Sequence, residues 1–210
     1  MMIKLWGRAN SSNVMKVIWL LEELRLPYSR TDVGGQFGGT ATPEYRAMNP
    51  LGLVPSLEED GGFHLFESNV ILRYLCNAHA PSTPLYPAAP RPRATVEAWM
   101  EFQQTALNRP MGTLFMGLVR TAPEQRDQAA ITAATAEAAG IWAIIDQRLG
   151  TMPYLAGDAL TLADIPFGVH VHRWLNLDLP TRPAAPHLTA WYQRLLTRPA
   201  YKTHCAIKIT

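Results

Sequence analysis

Three short stretches carry side chains whose types and spacing can do chemistry. Ser11, Ser12 and Asn13 stand just before an apolar helical period. The free N–H groups at a helix start carry partial positive charge and stabilise an anion. A hydroxyl placed there donates to a thiolate and lowers the pKa of the thiol. The same residues also suit plain N-capping, and their types alone do not separate the two roles. Glu67-Ser68 opens another helical period. Ser68 suits an N-cap. It also suits a bound carboxylate, with Glu67 holding an ammonium, so the adjacent pair matches an α-amino acid group. Val54-Pro55 stands at a strand start, where proline is tolerated. A cis bond there, the minority isomer, would leave the Val54 N–H and C=O free for an extended peptide.

The remaining reactive residue types form no constellation. His170 and His172 lie two apart on a predicted helix, about 200° around its axis, so they share no metal. His64 falls on a strand surface. Cys76 and Cys205 are 129 positions apart, neither a CxxC pair nor a disulfide framework, and a reducing, cytoplasmic setting is expected. No HExxH or G-x-G-x-x-G element occurs, and the glycines at 35–39 are followed by no P-loop lysine. No metal is expected.

The elements that must position these residues come in two kinds. Residues 2–6 read as a strand, and Val14, Val17, Ile18, Leu21 and Leu24 share a helix face. Tyr28 to Val33 reads as a second strand, and Pro43 to Met48 as one or two helical turns stopped at Asn49-Pro50. Segments 55–59 and 63–66 flank Asp60-Gly61-Gly62, a hairpin signal. A helix starts near Ser68. The order β-α-β-α-β-β-α suits an α/β unit over residues 1–80. Five prolines in 81–93 mark a stiff linker. An all-α unit over 94–210 follows, with helices expected at 94–118, 123–149, from Thr161, and at 186–197. Thr161 and Asp164 read as a capping pair, with Leu160 and Ile165 as its hydrophobic staple.

Composition excludes several classes. The chain has 210 residues, 48% of them hydrophobic and 17% charged, which rules out wholesale disorder. Nineteen Lys+Arg against 17 Asp+Glu give +2, too balanced for a nucleic-acid binder. Lys16, Glu22 and Arg25 interrupt the richest apolar stretch, so no membrane span is expected. No secretory signal is evident at the N-terminus.

Several spaced motifs, taken together, resemble the glutathione transferase superfamily. They are S-S-N-V-x-K-V at Ser11–Val17, N-P-L-G-L-V-P at Asn49–Pro55, F-E-S-N-V-I-L-R-Y-L at Phe66–Leu75, the proline-rich linker, and L-T-L-A-D-I-P in the helical half. The resemblance covers nearly the whole chain and is nearest to bacterial, theta-like, Ser-type members. It implies a thioredoxin-like N-terminal domain that holds glutathione as co-substrate, a helical C-terminal domain, and a homodimer. On this pattern Ser11 falls at the catalytic hydroxyl and Asn13 where some bacterial members use an asparagine. Val54 would pair with the cysteinyl unit, and Glu67 and Ser68 would hold the γ-glutamyl end. Leu53 and Thr40 would belong to the same site, but both depart from the basic or amide residues common at those places.

The implied activity is attack of the glutathione thiolate on a small electrophile in a pocket between the domains. Position alone suggests Arg8, Asn10, Met111 and Phe115 as its lining. The alternatives are a glutathione-dependent disulfide reductase and a non-catalytic binding protein on the same scaffold. Trp99 and Phe102 lie about 60° apart on their helix. One can face the core while the other leans toward a neighbouring subunit, and periodicity equally allows both to belong to the core.

Overall fold

A computed structural model describes residues 2–179 and 181–210. Met1, where the expected α/β unit begins, lies outside them. β1 (Ile3–Trp6), α1 (Ser12–Glu23) and β2 (Tyr28–Thr31) form a parallel βαβ unit. α2 (Pro43–Met48), β3 (Ser56–Glu59), β4 (Phe63–Phe66) and α3 (Ser68–His79) complete the expected order. The sheet runs β2-β1-β3-β4, with β3 antiparallel to both neighbours. Gly61 and Gly62 take φ of +83° and +80°, which the tight β3–β4 turn requires. β2 ends short of the expected Val33, yet Gly7 N–H still donates to Thr31 and Arg8 N–H to Val33. Strand contact thus continues into the loop that leads to Ser11.

A helical domain follows. α4 (Pro90–Phe102) starts inside the expected linker. Pro90 and Pro92 fit because the first turn leaves its N–H groups unbonded anyway. Spacing suggests one helix over 94–118. The structure has α4, a π turn at Gln103–Leu107, α5 (Asn108–Phe115) and a second π turn at Met116–Arg120. A wide turn adds a residue without ending the apolar stripe, so a 3.6-residue pattern does not register it. α6 (Gln128–Leu149) begins later than expected, since Pro123–Gln125 makes its own short turn and Asp127 caps the helix through Ala130 N–H. α7 (Asp164–Asn176), α8 (Pro186–Leu196) and the unanticipated α9 (Pro199–His204) complete the domain. Six residues are too few for a periodic signal in α9.

Among the described residues one helix, α6, is long and apolar enough to cross a membrane, by length and composition alone. Much of that apolarity is alanine. Its Ile131, Trp142 and Ile145 side chains are buried in the shared core.

α1 is the hinge between the two kinds of structure. It packs on α3 on one side and on α7 and α9 on the other. Trp19 is fully buried against Tyr201, ring centroids 4.8 Å apart. Gly168 of α7 allows this approach, because a Cβ there would stand 2.5 Å from the Trp19 ring. Glu23 receives both Nε and Nη2 of Arg198, at 2.7 and 2.6 Å. Trp99 and Phe102 both turn inward onto Phe167, at 6.3 and 6.1 Å, and both are half-buried against the core, the second of the two arrangements periodicity allows. A residue 60° off the stripe still reaches the core where three helices converge.

The expected capping pair is present with a changed donor. The Asp164 carboxylate reaches back to Thr161 N–H at 3.0 Å, but the Thr161 hydroxyl accepts from Ala163 N–H at 3.2 Å. Asp164 is completely buried and also accepts from Leu155 N–H and Trp191 Nε1. Burial pushes its pKa up to about 6 against the pull of these donors.

Candidate active site

Ser11 is the N-cap residue of α1, with φ −80° and ψ 127°. Its carbonyl accepts the first helical bond, from Met15 N–H at 2.8 Å. Its side chain makes no capping bond. The hydroxyl is therefore held at a helix start with no hydrogen bond among the described residues, while the residue is only 9% exposed. Ser12 is the first residue of α1, and Asn13 turns toward α3, where its Oδ1 accepts from the Ser68 hydroxyl at 3.3 Å.

Val54 lies beside this helix start. A Cβ on Gly7 would meet Val14 at 2.5 Å and Val54 at 3.2 Å, so the β1–α1 loop and the Val54 segment touch only because residue 7 is glycine. The Val54–Pro55 bond is cis. Among the described residues, no backbone partner engages Val54. The preceding loop is tied down by its own polar groups. Leu53 C=O accepts from Tyr45 Oη at 2.7 Å and Asn49 Nδ2 at 2.8 Å, and Asn49 Oδ1 accepts from Leu51 N–H. The Leu53 side chain points to solvent.

Glu67 precedes α3 with φ +69°, a left-handed conformation rare for a residue with a side chain. The surrounding structure must hold it there, and such positions cluster at binding sites. Its carboxylate is exposed and makes no hydrogen bond among the described residues. Ser68 behind it is buried. Asn13, Asn49, Leu53, Val54, Pro55, Glu67 and Ser68 line one cleft of about 120 Å³, closed on the far side by Gln104 and Asn108 of the helical domain.

Beneath the cleft lies a residue whose role the sequence did not reveal. Lys16 is completely buried. Its Nζ donates to Gln103 Oε1 at 3.1 Å and, at 3.5 Å each, to Ser68 Oγ and Asn69 Oδ1. Burial pushes its pKa down to about 7, against the opposing pull of the Glu67 charge. The signal was available: Lys16 is the single charged residue in the apolar run Val14–Leu21. Gln104 and Asn108 were missed as well, and their i, i+4 spacing on one flank of the helix is the trace they leave.

The other expected residues divide. Thr40 stands near Val54 and Arg8: a Cβ on Gly34 would lie 3.1 Å from Val54, 3.4 Å from Arg8 Nη1 and 3.5 Å from Thr40. Asn10 offers its carbonyl to Arg173 Nη2 at 3.0 Å, and the Arg173 guanidinium lies 4.2 Å over the Phe115 ring. Arg8, Asn10 and Phe115 thus belong to one neighbourhood next to Ser11. Met111 lies inside the core, only 1% exposed. Among the described residues no group of three or more His, Cys, Asp or Glu side chains can hold a metal ion.

Comparisons with known proteins agree with this architecture. The sequence model described as glutathione S-transferase, N-terminal domain, matches residues 10–78, and that of the C-terminal domain matches residues 107–199. The chain is 40% identical over 210 residues to glutathione S-transferase GstB of Escherichia coli K12, covering all of both chains. It is 34% identical to glutathione S-transferase 4 of Zea mays, covering 94% of this chain and 89% of that one. Among solved structures, the theta class glutathione S-transferase of Xanthomonas axonopodis pv. citri with glutathione bound superposes with a TM-score of 0.93, at 44% identity and 99% coverage of each chain. Two domain models matched in order and relatives that span the whole length show that this chain belongs to the glutathione S-transferase family.

Proposed function

We propose that the protein transfers the thiolate of glutathione to a small electrophile, with Ser11 as the group that favours the thiolate. The observation that carries this reading is the Ser11 hydroxyl, which caps nothing at the start of α1, close to a cleft lined by the exposed Glu67 carboxylate, which makes no hydrogen bond among the described residues. Glutathione lies extended in that cleft. Its cysteinyl unit pairs with the backbone of Val54, and its γ-glutamyl ammonium and carboxylate meet Glu67 and Ser68. Thr40 and Leu53 flank it and supply no charge.

The chemistry follows from placement. As the sulfur loses its proton, the Ser11 hydroxyl donates to it. The N-terminal end of α1 adds the field of its free N–H groups. Both interactions strengthen with the charge, so they lower the thiol's pKa. The thiolate then attacks the electrophilic carbon held over Arg8, Asn10 and Phe115: the new C–S bond forms, and the leaving group departs with its electron pair. Orientation of two bound reactants supplies the rest of the acceleration.

Ser11→Ala is expected to lower the conjugation rate far more than glutathione affinity, because the lost bond grows in the transition state. Equal rates in both proteins would remove Ser11 from this role, and Asn13→Ala becomes the next variant. The protein is read as a cytoplasmic homodimer, with exposed Leu51, Phe63 and Val70 on the N-terminal domain as apolar surface for the partner to cover. Equilibrium sedimentation decides this: a single species near 23.3 kDa would contradict it.

A further inference from the structure

We infer that the electrophile carries a carboxylate, received between Arg120 and Arg173 across the Phe115 ring beside Ser11. This names the substrate class of the site and rests on the transferase reading above.

Position comes first. The Arg173 guanidinium lies 4.2 Å over Phe115 and that of Arg120 lies 5.4 Å from the same ring. Arg173 Nη2 donates to the carbonyl of Asn10, the peptide group that leads into Ser11. An oxyanion held here therefore sits beside the point where sulfur is activated. Phe115 gives both planar cations a surface that fixes their orientation.

Missing countercharge comes second. Among the described residues none of Arg8, Arg120 and Arg173 makes an ion pair with an Asp or Glu. The Arg8 side chain makes no hydrogen bond among the described residues, and Arg120 Nη2 is already engaged by the main-chain oxygen of Thr210. Of the acids near these arginines in sequence, Asp32 pairs with Arg30, Glu101 with Arg73, and Asp164 closes the start of α7. Arg173 is only 8% exposed, a costly place for an unpaired cation. Burial first, and then the charges of Arg8 and Arg120, push its pKa down to about 10. An arriving carboxylate relieves both strains, and its two oxygens match the fork of a guanidinium.

The test compares two probes that differ in charge, iodoacetate and iodoacetamide. In each, the glutathione sulfur attacks the methylene carbon, the C–S bond forms, iodide leaves with the bonding pair, and the thiol proton passes to solvent. Alkylation of the protein is a minor side reaction, since Cys76 and Cys205 are both buried and burial pushes both thiols up, Cys76 to about 12. The ratio of kcat/KM for iodoacetate over iodoacetamide is measured at saturating glutathione and referred to the uncatalysed ratio. It is expected to exceed that ratio by roughly tenfold or more, the scale of a charge-assisted bond. Arg173→Gln and the exposed Arg120→Gln are expected to bring it down toward the uncatalysed value. Arg120→Gln keeps the test sound if loss of buried Arg173 unfolds the chain. A wild-type ratio no greater than the uncatalysed one, with iodoacetamide still turned over, overturns the substrate class and leaves the transferase reading standing. So does an Arg120→Gln variant that raises the KM for glutathione and keeps the ratio, since the guanidinium then serves glutathione. No transfer to either probe removes the transferase reading and this inference together.

Discussion

Two helix starts in this chain look alike in sequence and do opposite things. At α7, Asp164 is buried and each polar atom has a partner: two backbone N–H groups, the Thr161 hydroxyl and the Trp191 indole. At α1, Ser11 occupies the N-cap position, and its side chain makes no hydrogen bond among the described residues. The first is a folding device whose hydrogen bonds are complete within the chain. The second is a helix start whose N-cap side chain makes no capping bond within the chain. The difference lies in what residue type cannot express, namely whether the polar atom is already engaged. A loop, Tyr154–Leu160, comes back over α7 to close its start, whereas the start of α1 lies beside the Val54 segment and the cleft that Asn13 lines.

The comparison breaks most readily at α7. Asp164→Ala leaves buried Leu155, Thr161 and Trp191 donors without an acceptor, and a stability loss of about 4 kcal/mol is expected in chemical denaturation. A loss under about 1 kcal/mol would mean the cap is not the closure described here. Ser11→Ala is expected to show the reverse: about 3 kcal/mol on the conjugation barrier, with stability changed by no more than about 0.5 kcal/mol. A large fall in stability would make α1 an ordinary capped helix. Glu67→Ala sharpens the contrast at α3, another start with an unspent carboxylate. Glutathione affinity by calorimetry is expected to fall by about 2 kcal/mol while thermal stability is kept. Unchanged affinity would return Glu67 to the solvent.

A further expected effect concerns pH. Lys16 has an ordinary pKa of 10.5 in the unfolded chain and about 7 in the folded one. Between these values the unfolded state binds more protons, so stability rises with pH from about 7 to about 10.5 and gains nothing from this group below about 7. Lys16→Met should remove that slope. Parallel denaturation profiles for the two proteins would show that Lys16 titrates normally.

Much of this was legible beforehand. Periodicity and turn residues give all four strands and α1 to α3 nearly to the residue, because each is short and closed by Gly, Pro or Asn. The helical half was legible in its stripes and less so in its boundaries. The π turns at Gln103–Leu107 and Met116–Arg120 preserve the apolar face, and Pro90 sits where a first turn accepts it. At the site, Glu67, Ser68, Val54 and Asn13 come together as the motifs suggest. Lys16 and Gln103 escaped notice because a buried amide–ammonium contact joins residues 87 positions apart. Met111 was read as pocket lining, but it fills the core, since position along a helix does not tell which way a side chain turns.

The central claim is that the free Ser11 hydroxyl stabilises the thiolate of bound glutathione. Its most direct test is the pKa of that bound thiol, followed by ultraviolet thiolate absorbance against pH in the wild-type protein and in Ser11→Ala. The account predicts a value drawn down toward neutrality in the wild type and returned toward that of free thiol, about 8.5, in the variant. The same pKa in both proteins would contradict it.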